Sequence, residues 1–210
     1  MNADNVKPAT VYWLENKLYL NITNQCSNNC WFCFRNYKQG VGGFNLILQT
    51  EPNASQVISE LEQVFSKRQW DEIVFCGFGE PTTRLDLLLE TARWTKTHYP
   101  AVPIRLDTNG HGYALNPGRP VAEELKAAGV TKTSVSLNGH NPETYVENCR
   151  PKLEGGFEAV LEFVRKAKAA GLEVEVSAIR MTEVDVSAVK AVVDGLGVPF
   201  RVRDYVPCFW

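Results

Sequence analysis

Between Lys132 and Ala178 the chain reads KTSVSLNGHNPETYVENCRPKLEGGFEAVLEFVRKAKAAGLEVEVSA. Lys132 to Leu137 is short and carries residues that suit a strand. Phe157, Val160, Leu161, Val164 and Ala167 then recur at helical spacing until Gly171, a glycine placed to end the helix. Leu172 to Ala178 is a second strand-like run, while Glu147-Asn148-Cys149-Arg150-Pro151 reads as a polar loop. Strand, helix and strand in that order predict parallel pairing with the helix packed over the sheet.

The same alternation extends in both directions. Upstream, Glu72 to Cys76 and Pro103 to Asp107 are strand candidates. Val57, Ile58, Leu61, Val64 and Phe65 mark a helix behind a capping Asn53, and Leu85, Leu88, Leu89 and Ala92 mark another. A further helix has Pro120 in its first turn and Gly129 past its end. Downstream, Val186, Val189, Val193 and Leu196 follow a capping Asp185, and Phe200 to Val206 is the last strand. The chain starts with a hairpin, Thr10–Trp13 and Leu18–Ile22 around the polar reversal Leu14–Lys17. Closed eight-unit barrels need about 250 residues. Six β units in 210 residues therefore predict an α/β fold, an open partial TIM barrel of (βα)6 type with a short N-terminal β-hairpin. Residues 1–17 form the hairpin extension and 18–210 the core; no repeat, linker or low-complexity tract divides them.

Composition narrows the classes. Lys and Arg number 22 against 24 Asp and Glu, a net charge of -2, so no basic footprint indicates nucleic acid. Hydrophobic residues at 44% supply a core. No apolar run reaches the roughly 18 residues of a membrane span. Met1 to Asn5 lacks the basic start and apolar stretch of a secretory signal, so a cytoplasmic location is expected. In that compartment the six cysteines point to a metal or cluster site rather than to disulfides.

Three of the six form a C-x3-C-x2-C triplet, Cys26, Cys30 and Cys33, at the end of the first parallel strand. In parallel α/β folds chemistry gathers at the C-terminal ends of the strands. The next strand ends in Gly77-Phe-Gly-Glu-Pro-Thr82, the third in Asp107-Thr-Asn-Gly110 and the fourth in Ser136-Leu-Asn-Gly139. Each cluster alone suits a turn; together with the cysteines they mark one functional rim. Structural zinc takes four N/S ligands, and the chain has one close pair with that spacing. Cys76, Cys149 or His111 is available as a fourth ligand, so zinc stays open. A [4Fe–4S] cluster held by three thiolates, with its fourth iron free for a substrate or cofactor, fits better. Gly40-Val-Gly-Gly43 lacks the Gly-Lys-Ser/Thr ending of a phosphate loop.

The cysteine triplet with Phe32 before its last member, and Gly79-Glu80-Pro81 on the next strand end, resemble the radical SAM superfamily. Phe78 stands where that superfamily usually has the first glycine of Gly-Gly-Glu-Pro. Leu18-Tyr-Leu-Asn-Ile-Thr-Asn and the Gly-Phe-Gly-Glu-Pro-Thr wording look most like its TatD-associated members. The resemblance runs from about Leu18 to Val206. It implies an enzyme that cleaves S-adenosylmethionine (SAM) reductively at a [4Fe–4S] cluster and abstracts hydrogen from a substrate, whether small molecule, peptide or nucleoside. Cys26, Cys30 and Cys33 would bind the cluster. Gly79 and Glu80 would contact the methionine amine and Phe32 the adenine, with Asp107, Asn109, Ser136 and Asn138 on ribose or carboxylate. The chemistry implies a one-electron donor such as flavodoxin or ferredoxin. The Asp-Thr-Asn-Gly end also resembles that of glycyl-radical activases, which gives a second reading with a partner protein as target. A non-catalytic Fe–S or zinc regulatory module is a third. Cys76 reads as core packing and Cys149 as incidental. Cys208, beyond the last strand, is a candidate for the catalytic machinery. Arg180, Arg201 and Arg203 are candidates for clamping a carboxylate or phosphate.

Overall fold

The computed structural model describes residues 9–205. Its main sheet has seven strands: β1 Val11–Leu14, β2 Lys17–Leu20, β5 Glu72–Phe75, β6 Ile104–Thr108, β7 Val130–Ser136, β8 Glu173–Arg180 and β9 Phe200–Asp204, in the spatial order β1-β2-β5-β6-β7-β8-β9. β1 and β2 form the antiparallel N-terminal hairpin, turning at Glu15 with φ +51°. From β2 onward every pairing is parallel. The open (βα)6 sheet read from the sequence is therefore present, and β2 serves both as hairpin arm and as first parallel strand. A separate two-stranded ribbon, β3 Gly40–Val41 and β4 Phe44–Asn45, turns through Gly42 and Gly43, both at positive φ, as a two-residue hairpin requires.

Each new strand joins beside its predecessor, so right-handed crossovers carry all the helices to one side. These are α1 Ala54–Phe65, α2 Leu85–His98, α3 Gly112–Leu115, α4 Val121–Ala127, α5 Pro142–Cys149, α6 Gly156–Ala169 and α7 Val186–Leu196. Register sets what they cover. Leu18, Ile73, Ile104 and Val130 lie in one cross-sheet row, and Leu20, Phe75 and Leu106 in the next, all buried. Residues one step along each strand face the concave side. One such row runs Tyr19, Val74, Arg105, Lys132, Glu173, and another Asp107, Ser134, Glu175. The core thus sits between sheet and helices, and the other face, apart from residues such as Tyr19 and Val74, carries polar side chains.

Asn53 caps α1 through a reciprocal box with Gln56, and Asp185 caps α7, as their sequences indicate. α3 and α5 are additions to the sequence reading. α5 carries few apolar residues, so periodicity misses it. Its signal is local: Asn141 accepts from Thr144 N, Thr144 bonds back, and Pro142 opens the first turn. Cys149 is therefore the last residue of a helix and 1% exposed, not part of a polar loop. Cys208 and the tail from Val206 lie outside the described residues. Among the described residues no helix is long and apolar enough to cross a membrane.

Candidate active site at the strand ends

Cys26, Cys30 and Cys33 are partly buried on the loop that follows β2. Burial, with the Glu80 carboxylate nearby, pushes the Cys26 thiol up to about 11. The Cys30 thiol is raised by its hydrogen bond with Cys149 and by burial, and Cys33 by burial. Thiols that hold their protons this firmly become thiolate ligands when iron takes the proton's place. Among the described residues no three His, Cys, Asp or Glu side chains converge as a single metal ion needs. A cube takes one thiolate at each of several irons, so three soft donors spread along one loop suit it. Two of the fourth ligands considered for zinc are engaged elsewhere. Cys76 is hydrogen bonded with Asp107, and both ring nitrogens of His111 have partners. The donor set fits the cluster.

The loop is braced from behind. Asn29 N donates to the carbonyls of Cys149 (3.0 Å) and Arg150 (3.1 Å), and Lys152 N to the Ser27 carbonyl (2.7 Å). Arg150 takes the left-handed conformation, φ +47°, to bring those groups round. Beneath them lies a buried polar chain. His111 Nε2 is 3.1 Å from the Gly156 carbonyl, which can only accept, so Nε2 carries the proton. Nδ1 therefore accepts from Ser27 Oγ at 2.9 Å, and Ser27 Oγ in turn accepts from Asn109 Nδ2 at 2.8 Å. Tyr145 Oη lies 2.9 Å from His111 Nε2 and accepts from Asn28 Nδ2 at 3.1 Å. Burial holds His111 down to about 4, so it stays neutral at ordinary pH.

The second strand end is fitted to this loop by close approach. A Cβ on Gly79 would meet the Gln25 carbonyl at 2.4 Å and the Thr23 carbonyl at 2.5 Å; one on Gly77 would meet Asn21 Oδ1 at 2.0 Å. Asn21 Oδ1 also accepts from the backbone of Phe78, the residue in the usual glycine position, at 3.3 Å. Glu80, 2% exposed, turns its carboxylate into the protein. Oε1 accepts from Thr82 N (3.0 Å), Thr82 Oγ1 (2.7 Å) and Thr108 Oγ1 (2.8 Å), and Oε2 from Asn109 N (2.6 Å). Burial raises its pKa and the four donors oppose that. Glu80 therefore ties the second strand end to the third.

The other residues singled out from the sequence divide between bracing and the concave face. Asn109 braces: Nδ2 reaches Ser27 and, at 3.7 Å, Cys26 Sγ, while Oδ1 accepts from His111 N. Asn138 is buried, accepting from Ile179 N through Oδ1 (2.8 Å) and from Asn148 Nδ2 through its carbonyl (2.9 Å). Phe32 is 5% exposed, edge-on to Trp31. Asp107 and Ser136 face the concavity. Asp107 Oδ1 lies 2.8 Å from Arg105 Nε, close but poorly aligned for a hydrogen bond, and Ser136 Oγ accepts from Arg203 Nη2 at 3.2 Å. Burial pushes the Asp107 pKa up against the pull of Arg105. Cys76 also opens onto this face, its thiol bonded to Asp107 rather than packed in the core. Ser27, Asn28, His111 and Tyr145 carry the brace and were not distinguishable as a group in the sequence, where they are far apart.

A cleft of about 340 Å3, lined in part by Gln25, Cys26, Ser27, Arg35 and Thr83, opens directly on the cysteine loop. A larger one of about 530 Å3, lined by Tyr113, Arg119 and Lys166 among others, lies on the outer helix layer, away from the cysteines.

The model of the family described as "Radical SAM superfamily" matches residues 20–185, which contain all of this arrangement except Arg203. The chain belongs to the radical SAM superfamily. Members of this superfamily are enzymes that use a [4Fe–4S] cluster and SAM, and they draw on an electron donor. Similar curated radical SAM proteins include the GTP 3′,8-cyclase of Paenarthrobacter nicotinovorans, 32% identical over 163 residues, covering 77% of this chain and 42% of that protein. The AdoMet-dependent heme synthase of Methanosarcina barkeri is 34% identical over 149 residues, covering 70% of this chain and 38% of that protein. The chain thus spans less than half the length of these two relatives. Among solved structures, Streptococcus suis SuiB bound to S-adenosylmethionine superposes with a TM-score of 0.68 at 16% identity, over 91% of this chain and 41% of that one. TYW1 with a lysine-pyruvate adduct gives 0.63 at 13%, over 91% and 65%. At those identities the superpositions speak for the open barrel alone. A regulatory zinc module and a glycyl-radical activase are not favoured by these findings.

Proposed function

We propose that this chain is the catalytic core of a radical SAM enzyme in which Cys26, Cys30 and Cys33 hold the cluster and the concave face of the sheet receives the substrate. The observation that carries the reading is the convergence of the cysteine loop, Gly79 and Asn109 at adjoining strand ends, tied together by Glu80 and Ser27. A [4Fe–4S] cluster held by Cys26, Cys30 and Cys33 would supply the electron for reductive cleavage of the C5′–S bond of SAM, with methionine as the leaving group, and so the capacity to abstract hydrogen from an unactivated carbon.

The protein's own residues supply position and dryness. Asn109 Nδ2 donates toward Cys26 Sγ and keeps that ligand in place. The Ser27–His111–Tyr145–Asn28 chain fixes the loop backbone without presenting a titrating group to it. Gly79 offers its backbone to the methionine amine, Ser136 and Asp107 offer polar groups on the inner face, and the aromatic edge of Phe32 closes the apolar side. Asn138 and the Glu80 side chain act in this reading as braces that hold those contacts. The Gly-Phe-Gly-Glu-Pro-Thr segment supports a place near the TatD-associated members. The curated relatives named GTP 3′,8-cyclase make a nucleotide the first substrate class to screen. Flavodoxin or ferredoxin fits the electron supply.

The test is anaerobic reconstitution with iron and sulfide, reduction with dithionite in the presence of SAM, and chromatography for 5′-deoxyadenosine. Release by the wild type and none by Cys30→Ala is expected. Zinc in place of iron, with no cleavage, would overturn the reading.

A further inference from the structure

Among the described residues of the concave face, Arg105, Arg201 and Lys132 each pair with a carboxylate. Arg105 is held between Glu72 at 2.9 Å and Asp107 at 2.8 Å. Arg201 Nε sits on Glu175 at 2.7 Å, and Lys132 pairs with Glu173 at 3.5 Å. Arg180, 70% exposed at the strand end, alternates with Ile179 to the helix side of the sheet and pairs with Asp204. Arg203 is different. Its Nη2 donates to the neutral hydroxyl of Ser136, its Nε is buried without a hydrogen-bond partner, and among the described residues it forms no ion pair.

The placement is as telling as the missing counter-ion. Ser136 is on β7 and Arg203 on β9, so the side chain crosses β8, about 10 Å at ordinary strand spacing. That puts the guanidinium over the middle of the face, where it feels the charges of Asp107 and Glu175 and the Cys76 thiol. Both carboxylates already serve other arginines. Burial lowers the Arg203 pKa, yet a guanidinium keeps its charge throughout the range in which a protein stays folded. A half-buried cationic fork with an idle, buried Nε donor is matched by a two-oxygen anion. Asp107 lies two residues before Asn109, whose amide reaches Cys26. Ser136, which the fork bonds, is one residue beyond Val135, the register partner of Thr108, so the fork's anchor is level with Asn109 at the strand ends beside the cysteine loop.

We propose that Arg203, with Ser136 beside it, docks an oxyanion of the substrate, a carboxylate or a phosphate, on the concave face. Anchored there, the substrate is held by one end while its reacting carbon faces the cysteine loop. The inference rests on the reading of this face as the substrate side of a radical SAM core. The competing source of such an anion is the methionine carboxylate of SAM.

Equilibrium dialysis of the anaerobically reconstituted protein against radiolabelled inorganic phosphate, with and without saturating SAM, tests this. Saturable binding at one site is expected, at least about tenfold weaker in Arg203→Gln, from loss of a charge-assisted pair, and partly kept in Arg203→Lys. Arg180→Gln, which removes an exposed cation of equal charge, is expected to bind like the wild type. Ser136→Ala, which spares the charge, should weaken binding a few-fold, roughly one neutral hydrogen bond, and serves if Arg203→Gln fails to fold by its melting curve. Three results would overturn the assignment: no saturable binding, equal weakening in Arg180→Gln, or stoichiometric displacement of phosphate by SAM. Absence of 5′-deoxyadenosine from the wild type would instead strike the proposed function and leave the phosphate titration readable.

Discussion

β6 shows the contrast on which this molecule is built. Ile104, Leu106 and Thr108 turn to the helices and are buried, whereas Arg105 and Asp107, alternating with them, turn to the concavity and stay partly open. Sheets of parallel strands are ordinarily apolar on both faces. Here one face is dry and the other holds ion pairs, hydroxyls and a thiol. The difference separates two tasks carried by the same residues' backbones. The apolar face supplies the stability that lets the polar face remain imperfectly paired, and that incompleteness is what a ligand can use.

The division can be broken most forcefully from the dry side. Leu106→Ala should cost about 3–4 kcal/mol, lowering the melting temperature by roughly 10 °C, because a cavity opens where nothing can collapse to fill it. A shift of only a degree or two would mean the helix layer is loosely packed. His111 tests the boundary between the faces. Its folded pKa of about 4 lies below the ordinary 6.5, so the unfolded chain takes up the proton first. The stability this contributes is complete above pH 6.5 and is lost as pH falls toward 4, a swing of about 2–3 kcal/mol. Denaturant melts at pH 7.5 and 4.5 should show that swing in the difference between wild type and His111→Gln; parallel curves would place water around the ring. Gly79→Ala should cost about 2 kcal/mol, since the methyl meets two backbone carbonyls at 2.4 and 2.5 Å, and it should loosen iron from the reconstituted protein as well. Wild-type iron retention would show that the cysteine loop moves independently of the second strand end. Smallest of all, Asp107→Asn should change stability by less than about 1 kcal/mol, its side chain being 29% exposed and Arg105 keeping Glu72. A loss as large as that of Leu106→Ala would erase the contrast.

The dry face was the legible one. Leu85, Leu88, Leu89 and Ala92, or Val186, Val189, Val193 and Leu196, announce their helices by spacing, and the order of elements gives the open parallel sheet. Cys26, Cys30 and Cys33 stand out because they are neighbours in sequence. The brace was hidden because its bonds span the chain: Ser27 meets His111 across 84 positions and Asn28 meets Tyr145 across 117. No local pattern records such pairs. α5 escaped because its apolar residues are few, although Asn141-Pro142-Glu143-Thr144 carried a capping signal that reading for periodicity passes over. Arg201 and Arg203 stood out in the sequence as candidates for clamping an anion, but nothing in it shows that Glu175 engages one and leaves the other.

The central claim is that three thiolates leave one iron of a [4Fe–4S] cluster open to SAM. Electron–nuclear double resonance on the reduced, reconstituted protein, with SAM labelled by 15N at the methionine amine and 17O at its carboxylate, tests it directly. The account predicts hyperfine coupling from both labels, lost in Cys26→Ala, Cys30→Ala and Cys33→Ala. A fully formed cluster that shows neither coupling with SAM bound would contradict it.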